Sequence, residues 1–181
     1  MQVNLDGQSL PVHKLKGTDT TLDLSRKKLR DTSAIVLAAL LRHNTRLTSL
    51  SIASNPIGED GMRAMGTALL KSTVSKLGAL KCDAFEVRAG EAALDMSRKR
   101  LPPGAKALLA GVVNHNPALR TFSFREFTIR DDDNAPKLTL SSKGLDDGDV
   151  AIVAGILGRG GCMAQLQVRS LATAFSPDPE T

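Results

Sequence analysis

Short apolar alternations punctuate this chain. Taking the second large apolar residue of each as an anchor gives Leu10, Leu24, Ile52, Cys82, Met96, Phe124, Leu140 and Val168. Seven of these eight have an apolar residue two positions earlier, the signature of a half-buried strand. Seven also have an aliphatic residue five positions later: Leu15, Leu29, Ile57, Val87, Leu101, Ile129 and Leu145. Successive anchors differ in number by 14, 28, 30, 14, 28, 16 and 28, so the spacings are of two kinds, short and long. A strand of about five residues with its turns fits the short spacing, and the long one leaves room for about three turns of helix as well. The pattern predicts about eight strand units, alternating long helix-bearing and short helix-less ones.

Four helices are legible in the long units. DTSAIVLAALLRHN offers Asp31, Thr32 or Ser33 as an N-cap and places Ile35, Leu37, Ala38, Leu40 and Leu41 on an aliphatic face. PPGAKALLAGVVNHN starts at Pro102 and Pro103, which suit a first helical turn, and carries Leu108, Leu109, Val112 and Val113. GEDGMRAMGTALLKS from Gly58 and DDGDVAIVAGILG from Asp146 complete the set.

The chain also repeats itself. TLDLSRKKL at Thr21 to Leu29 returns as ALDMSRKRL at Ala93 to Leu101, and the same shift of 72 carries anchors 10, 24 and 52 onto 82, 96 and 124. A duplicated block at fixed spacing predicts stacked strand–helix units, because no single unit can bury its own apolar face. FREFTIR at Phe124 to Arg130 matches CDAFEVR at Cys82 to Arg88, a short unit, so a long unit is missing at that point.

LTSLSIASNPIGEDGMRAMGTALLKS, at Leu47 to Ser72, resembles a leucine-rich repeat of the ribonuclease-inhibitor-like subclass, and LRHNTRLTSL and VNHNPALRTF resemble its return from helix to strand. The resemblance covers Leu10 to Val168. It implies an α/β solenoid, a horseshoe with a parallel concave sheet and helices on the convex side. The sequence departs from the family pattern at one key position. The turn asparagine three residues after the anchor is present only as Asn55, and the others are His13, Lys27, Phe85, Lys99, Phe127, Lys143 and Leu171. Several turns must then be hydrogen-bonded differently. Phe85 and Phe127 are expected to fill the space left by absent helices. A single domain spanning 1–170 follows, with a disordered tail at 171–181. The ends lack polar caps, which predicts self-association through them or a piece of a longer array.

Composition narrows the function. Aromatic residues are 3% of the chain, with no Trp or Tyr, so the core must be aliphatic. The net charge of +5 is mild and Lys and Arg are interleaved with Asp, which argues against nucleic acid as a partner. No apolar run has the roughly 18 residues of a membrane span, and the N-terminus does not resemble a signal peptide. Cys82 and Cys162 frame neither a disulfide set nor a zinc site, which points to a reducing, cytoplasmic compartment.

No motif specifies a reaction or a cofactor. His43 and His115 recur at one position of the duplicated block, a loop feature and not a catalytic pair. The run at Asp131 to Asn134 lacks the glycine and distal glutamate of an EF-hand, Asp146, Asp147 and Asp149 suit a helix start, and LGRGG at Leu157 to Gly161 lacks the Lys-Ser/Thr of a phosphate loop. The chain is expected not to be an enzyme and to bind no metal.

What remains is surface. Residues flanking the anchors point away from the core, because strand side chains alternate. The candidate partner-binding face is therefore Asp23, Ser25, Arg26, Ser51, Ser54, Lys81, Asp83, Asp95, Ser97, Arg98, Ser123, Arg125, Glu126, Thr139 and Ser141. The expectation is a protein-interaction module or scaffold binding a protein on this face. The resemblance implies, as the alternative, a regulator of small GTPases.

Overall fold

The computed structural model describes residues 3–5, 8–10, 18–125, 127–130 and 145–157. Strands β1 (Val3–Leu5) and β2 (Gln8–Leu10) form an antiparallel pair. β3 (Thr21–Asp23), β4 (Ser49–Ser51), β5 (Ala79–Lys81) and β6 (Glu86–Val87) form a second sheet in that order, and β7 (Ala93–Met96), β8 (Thr121–Phe124) and β9 (Phe127–Arg130) a third. Helices α1 (Asp31–Leu41), α2 (Glu59–Leu70), α3 (Pro103–His115) and α4 (Asp147–Leu157) pack as successive neighbours, α2 on α3 most extensively.

The expected leucine-rich repeat solenoid is corrected here. The molecule is a small α/β protein with two mixed sheets of four and three strands, not a horseshoe lined by one continuous parallel sheet. Parallel pairing follows the long spacings, which set Leu22 against Leu50, Leu50 against Leu80 and Leu94 against Phe122. It fails at the short ones: among the described residues β2 does not pair with β3, nor does β5 or β6 pair with β7. The reason is chain length. A parallel neighbour needs a crossover of a dozen or more residues, whereas a hairpin needs only a few. Only Cys82 to Phe85 separate Lys81 from Glu86, and only Arg125 and Glu126 separate Phe124 from Phe127, so CDAFEVR and FREFTIR fold back as antiparallel hairpins. Each hairpin ends a parallel run. The twin segments accordingly start two separate sheets, with β3 and β7 each at an edge.

One core serves both sheets. Leu22, Leu50, Leu80, Leu94 and Phe122 on the strands join Leu37, Leu41, Met65, Leu69, Leu108, Leu109, Val112, Val113 and Ile152 on the helices. α3 lies between α2 and α4 and is buried on most sides, which requires backbones to come close. A methyl group added at Gly66 would lie 2.2 Å from the carbonyl oxygen of Ala107, one at Gly104 2.4 Å from that of Glu59, and one at Gly155 2.4 Å from that of Ala110. Glycine is the residue that fits at these crossings.

Two expectations for α1 change. Ile35 faces solvent, and Ala34 joins the expected Leu37, Ala38 and Leu41 in the core. Nor does Asp31 cap its own helix: its Oδ1 accepts from the backbone N–H of Gly58 at 2.7 Å and Gly61 at 3.2 Å, capping α2 instead. Phe85 is buried within the β5–β6 turn. His13, Leu140, Cys162, Val168, the Asp131 to Asn134 run, Gly158 to Gly161 of LGRGG and the 171–181 tail lie outside the described residues.

Candidate functional site

The open faces of the two sheets carry the sequence-derived binding residues. β3, β4 and β5 set Asp23, Ser51 and Lys81 in one register row, and Lys81 continues it to Glu86 on β6 through an ion pair of 3.6 Å. In the third sheet the row is Asp95, Ser123 and Thr128, with the two hydroxyls 3.1 Å apart. Their core-side neighbours are buried, which leaves this face to solvent.

The turns after the strands hold the remaining residues. Ser25 Oγ meets Ser51 Oγ at 2.5 Å, and Ser54 N–H donates to Asp83 at 2.6 Å. Asp23 accepts from Ser25 N–H at 2.8 Å, and its twin Asp95 from Ser97 N–H at 2.9 Å. These serine hydrogen bonds hold both carboxyls below their ordinary pKa. Arg26, Ser54 and Arg125 sit at positive φ, 57°, 57° and 51°, the left-handed region that L-residues visit sparingly. Glu126, Thr139 and Ser141 lie outside the described residues. The single row of candidates is therefore two rows, one per sheet.

Asn55 performs the turn role that the sequence assigns to it. Its Oδ1 accepts from the N–H groups of Lys27 and Leu29 at 2.9 and 3.0 Å, and its Nδ2 donates to the carbonyls of Leu24 and Ile52 at 2.9 and 2.8 Å. It thus clamps the basic turn after β3. Its counterpart in the second copy of the block is Phe127, so the basic turn after β7 lacks this clamp, and Lys99 N–H instead donates to the carbonyl of Met96 at 3.0 Å. A second set of turns returns each helix to a strand. Asn44 Oδ1 accepts from the N–H groups of Arg46 and Leu47, Ser72 Oγ from Ser75, and Asn116 Oδ1 from Ala118 and Leu119. His115 Nε2 donates to the carbonyl of Leu69 at 2.8 Å, tying α3 to the end of α2.

Beside the β7 turn opens a cleft of about 630 Å³ lined by Ser97, Arg98, Lys99, Arg100, Leu101, Lys106, Phe124, Arg125 and Asp146. Its back wall is an ion-pair cluster that sequence reasoning missed. Asp149 is fully buried, with Oδ1 at 2.6 Å from Lys106 Nζ and Oδ2 at 2.6 Å from Arg125 Nη1. Lys106 also reaches Asp146 at 2.5 Å. Asp146 and Asp149 cap α4 reciprocally, each carboxylate accepting the other's backbone N–H, at 3.2 Å for that of Asp146 and 2.9 Å for that of Asp149. That D-x-x-D spacing was the available signal, but its partner cation Lys106 belongs to the preceding helix, α3. Burial pulls the Lys106 ammonium down, but its bonds to Asp146 and Asp149 outweigh this and raise its pKa. The Lys106 hydrogen bond holds Asp146 low.

Among the described residues no group of His, Cys, Asp or Glu is placed to hold a metal ion. Cys82 is buried at the start of the β5–β6 turn, and burial pushes its thiol pKa up. No described helix is long and apolar enough to cross a membrane. Neither protein-family models nor curated proteins match this chain. The site is therefore read from its own geometry.

Proposed function

We propose that this chain is a non-catalytic protein-binding module of a reducing, cytoplasmic compartment, engaging its partner through the open faces of its two mixed sheets. The observation that carries the reading is the pair of polar rows, Asp23–Ser51–Lys81–Glu86 and Asp95–Ser123–Thr128, presented on the side of the sheets turned away from the core. Asp23, Ser51 and Asp95 also bond the turns after their strands, and the rows as a whole remain polar and open to solvent. Small side chains leave the face flat enough for another chain to approach. Alternating charges favour orientation and partner choice over raw affinity, and the face carries no described aromatic side chain of the kind that anchors tight interfaces.

The test uses Ser51→Arg with Ser123→Arg, one bulky change per row. Arg125 is unsuitable because its guanidinium is held by buried Asp149. Proteins retained from native extract by the wild type should be lost by the double variant, with both showing the same urea unfolding midpoint. An identical retained set would remove the face from the reading.

A further inference from the structure

The cleft beside β7 carries more cation than its own carboxylates neutralise. Arg98, Lys99, Arg100, Lys106 and Arg125 line it against Asp146, with Asp149 buried behind. Lys106 and Arg125 are engaged by those two aspartates. The side chains of Arg98, Lys99 and Arg100 are exposed and make no direct hydrogen bond or ion pair among the described residues, Arg98 acting on Asp95 only through space. Three consecutive cations thus line a concavity to which the buried Leu101 and Phe124 also contribute.

We propose that this cleft binds an acidic polypeptide segment, successive Asp or Glu carboxylates of a protein partner pairing with Arg98, Lys99 and Arg100. The inference rests on the protein-binding reading and names the partner's chemistry. Size favours a segment over a single anion: about 630 Å³ holds several side chains, and guanidinium groups at both ends of the tripeptide suit bidentate capture of carboxylates. Charge and composition disfavour a nucleic acid. Single strands are held by aromatic stacking, and the described aromatic side chains, Phe85, Phe122 and Phe124, are all buried. The net charge of the chain, +5 with Lys and Arg interleaved with Asp, is mild for a nucleic-acid binder. The twin turn supplies an internal control. Arg26, Lys27 and Lys28 have nearly the same sequence, but their turn is clamped by Asn55, whereas the second turn lacks that clamp and borders the cleft.

The experiment measures fluorescence anisotropy of a labelled short poly-glutamate peptide, with an oligouridylate of similar length, against the full chain at about 150 mM salt. The Arg98→Gln/Lys99→Gln/Arg100→Gln variant should bind the peptide at least about tenfold more weakly, as expected for three lost charge pairs. The Lys27→Gln/Lys28→Gln variant of the twin turn should differ from wild type by less than about twofold. Matching urea midpoints exclude unfolding as the cause. No saturable peptide binding, equal loss in both variants, or tighter binding of the oligouridylate would each overturn the proposal. If it falls while face-dependent partners are still retained from extract, the cleft assignment is wrong and the protein-binding reading survives.

Discussion

Lys106 Nζ lies 2.6 Å from Asp149 Oδ1, joining the first turn of α3, the middle helix of the layer, to the first turn of α4, the last. Both side chains are nearly or wholly withdrawn from water. The pair is thus costly to break and need not be costly to replace, because two charges leave water together. Asp149→Ala strands part of the Lys106 and Arg125 charge and should lose about 3–5 kcal/mol in urea unfolding. A double-mutant cycle of Asp149→Leu with Lys106→Leu should show the pair costing at least about 1 kcal/mol less than the sum of the single changes. Additivity would mean that the two charges are solvated independently.

Gly66 provides a test of sign. On helix propensity alone, alanine at an interior glycine of α2 would stabilise by about 1 kcal/mol. Here the new methyl would sit 2.2 Å from the Ala107 carbonyl, so α2 and α3 must separate. Gly66→Ala should instead destabilise by about 1–3 kcal/mol, as overpacking does. Thermal unfolding that shows a gain would refute the close crossing.

For Asn55, two acceptor bonds and two donor bonds of 3.0 Å or less converge on one buried amide. Asn55→Ala leaves several backbone groups of two turns without partners, at about 1–3 kcal/mol for each that water cannot reach. Asn55→Asp keeps the acceptor but turns an anion toward the carbonyls of Leu24 and Ile52, so it should rescue little. Hydrogen exchange at Lys27 and Leu29 should accelerate in both variants, while Leu119, held by Asn116, stays protected.

The pH dependence follows from the same ion cluster. Asp146 is held below its ordinary carboxylate value by Lys106, so its contribution is present above about pH 4 and is lost as pH falls through its folded pKa. The raised Lys106 contributes stability that is intact below about pH 10 and lost only as pH rises through its still higher folded pKa. Urea midpoints should therefore fall on the acid side near or below pH 4. Lys106→Met should flatten that acid limb.

Periodicity made the elements legible and their assembly only partly so. Among the described residues, strands joined by the long spacing do sit side by side in parallel register, and the helices start within a residue or so of the expected places. What went unread was the direction of the short units. CDAFEVR and FREFTIR satisfy the same anchor rule as any strand unit, but an apolar alternation does not encode whether the next strand runs parallel or antiparallel; the connection length does. Asn55 was recognisable because it alone matches the turn asparagine of the repeat pattern, three residues after its anchor. Asp149 was not, because a first-turn aspartate is satisfied by the helix dipole alone and its cations, Lys106 and Arg125, come from α3 and the turn after β8. The basic tripeptide was visible twice, and only folding distinguishes the copy that borders a cleft from the copy clamped by Asn55.

The near-contact of backbones at Gly66 and Ala107 also bears on how the molecule comes apart. Among the described residues strand hydrogen bonds stop at the β5–β6 hairpin, so the ladder of the β3–β6 sheet does not extend into the β7–β9 sheet. Much of the cooperativity between the halves must then pass through helices rather than through strands, by close apposition that tolerates no intermediate spacing. A loosened α2–α3 crossing would split one melting transition into two, each half retaining its own sheet. The duplicated ancestry of the chain would then show in its unfolding curve.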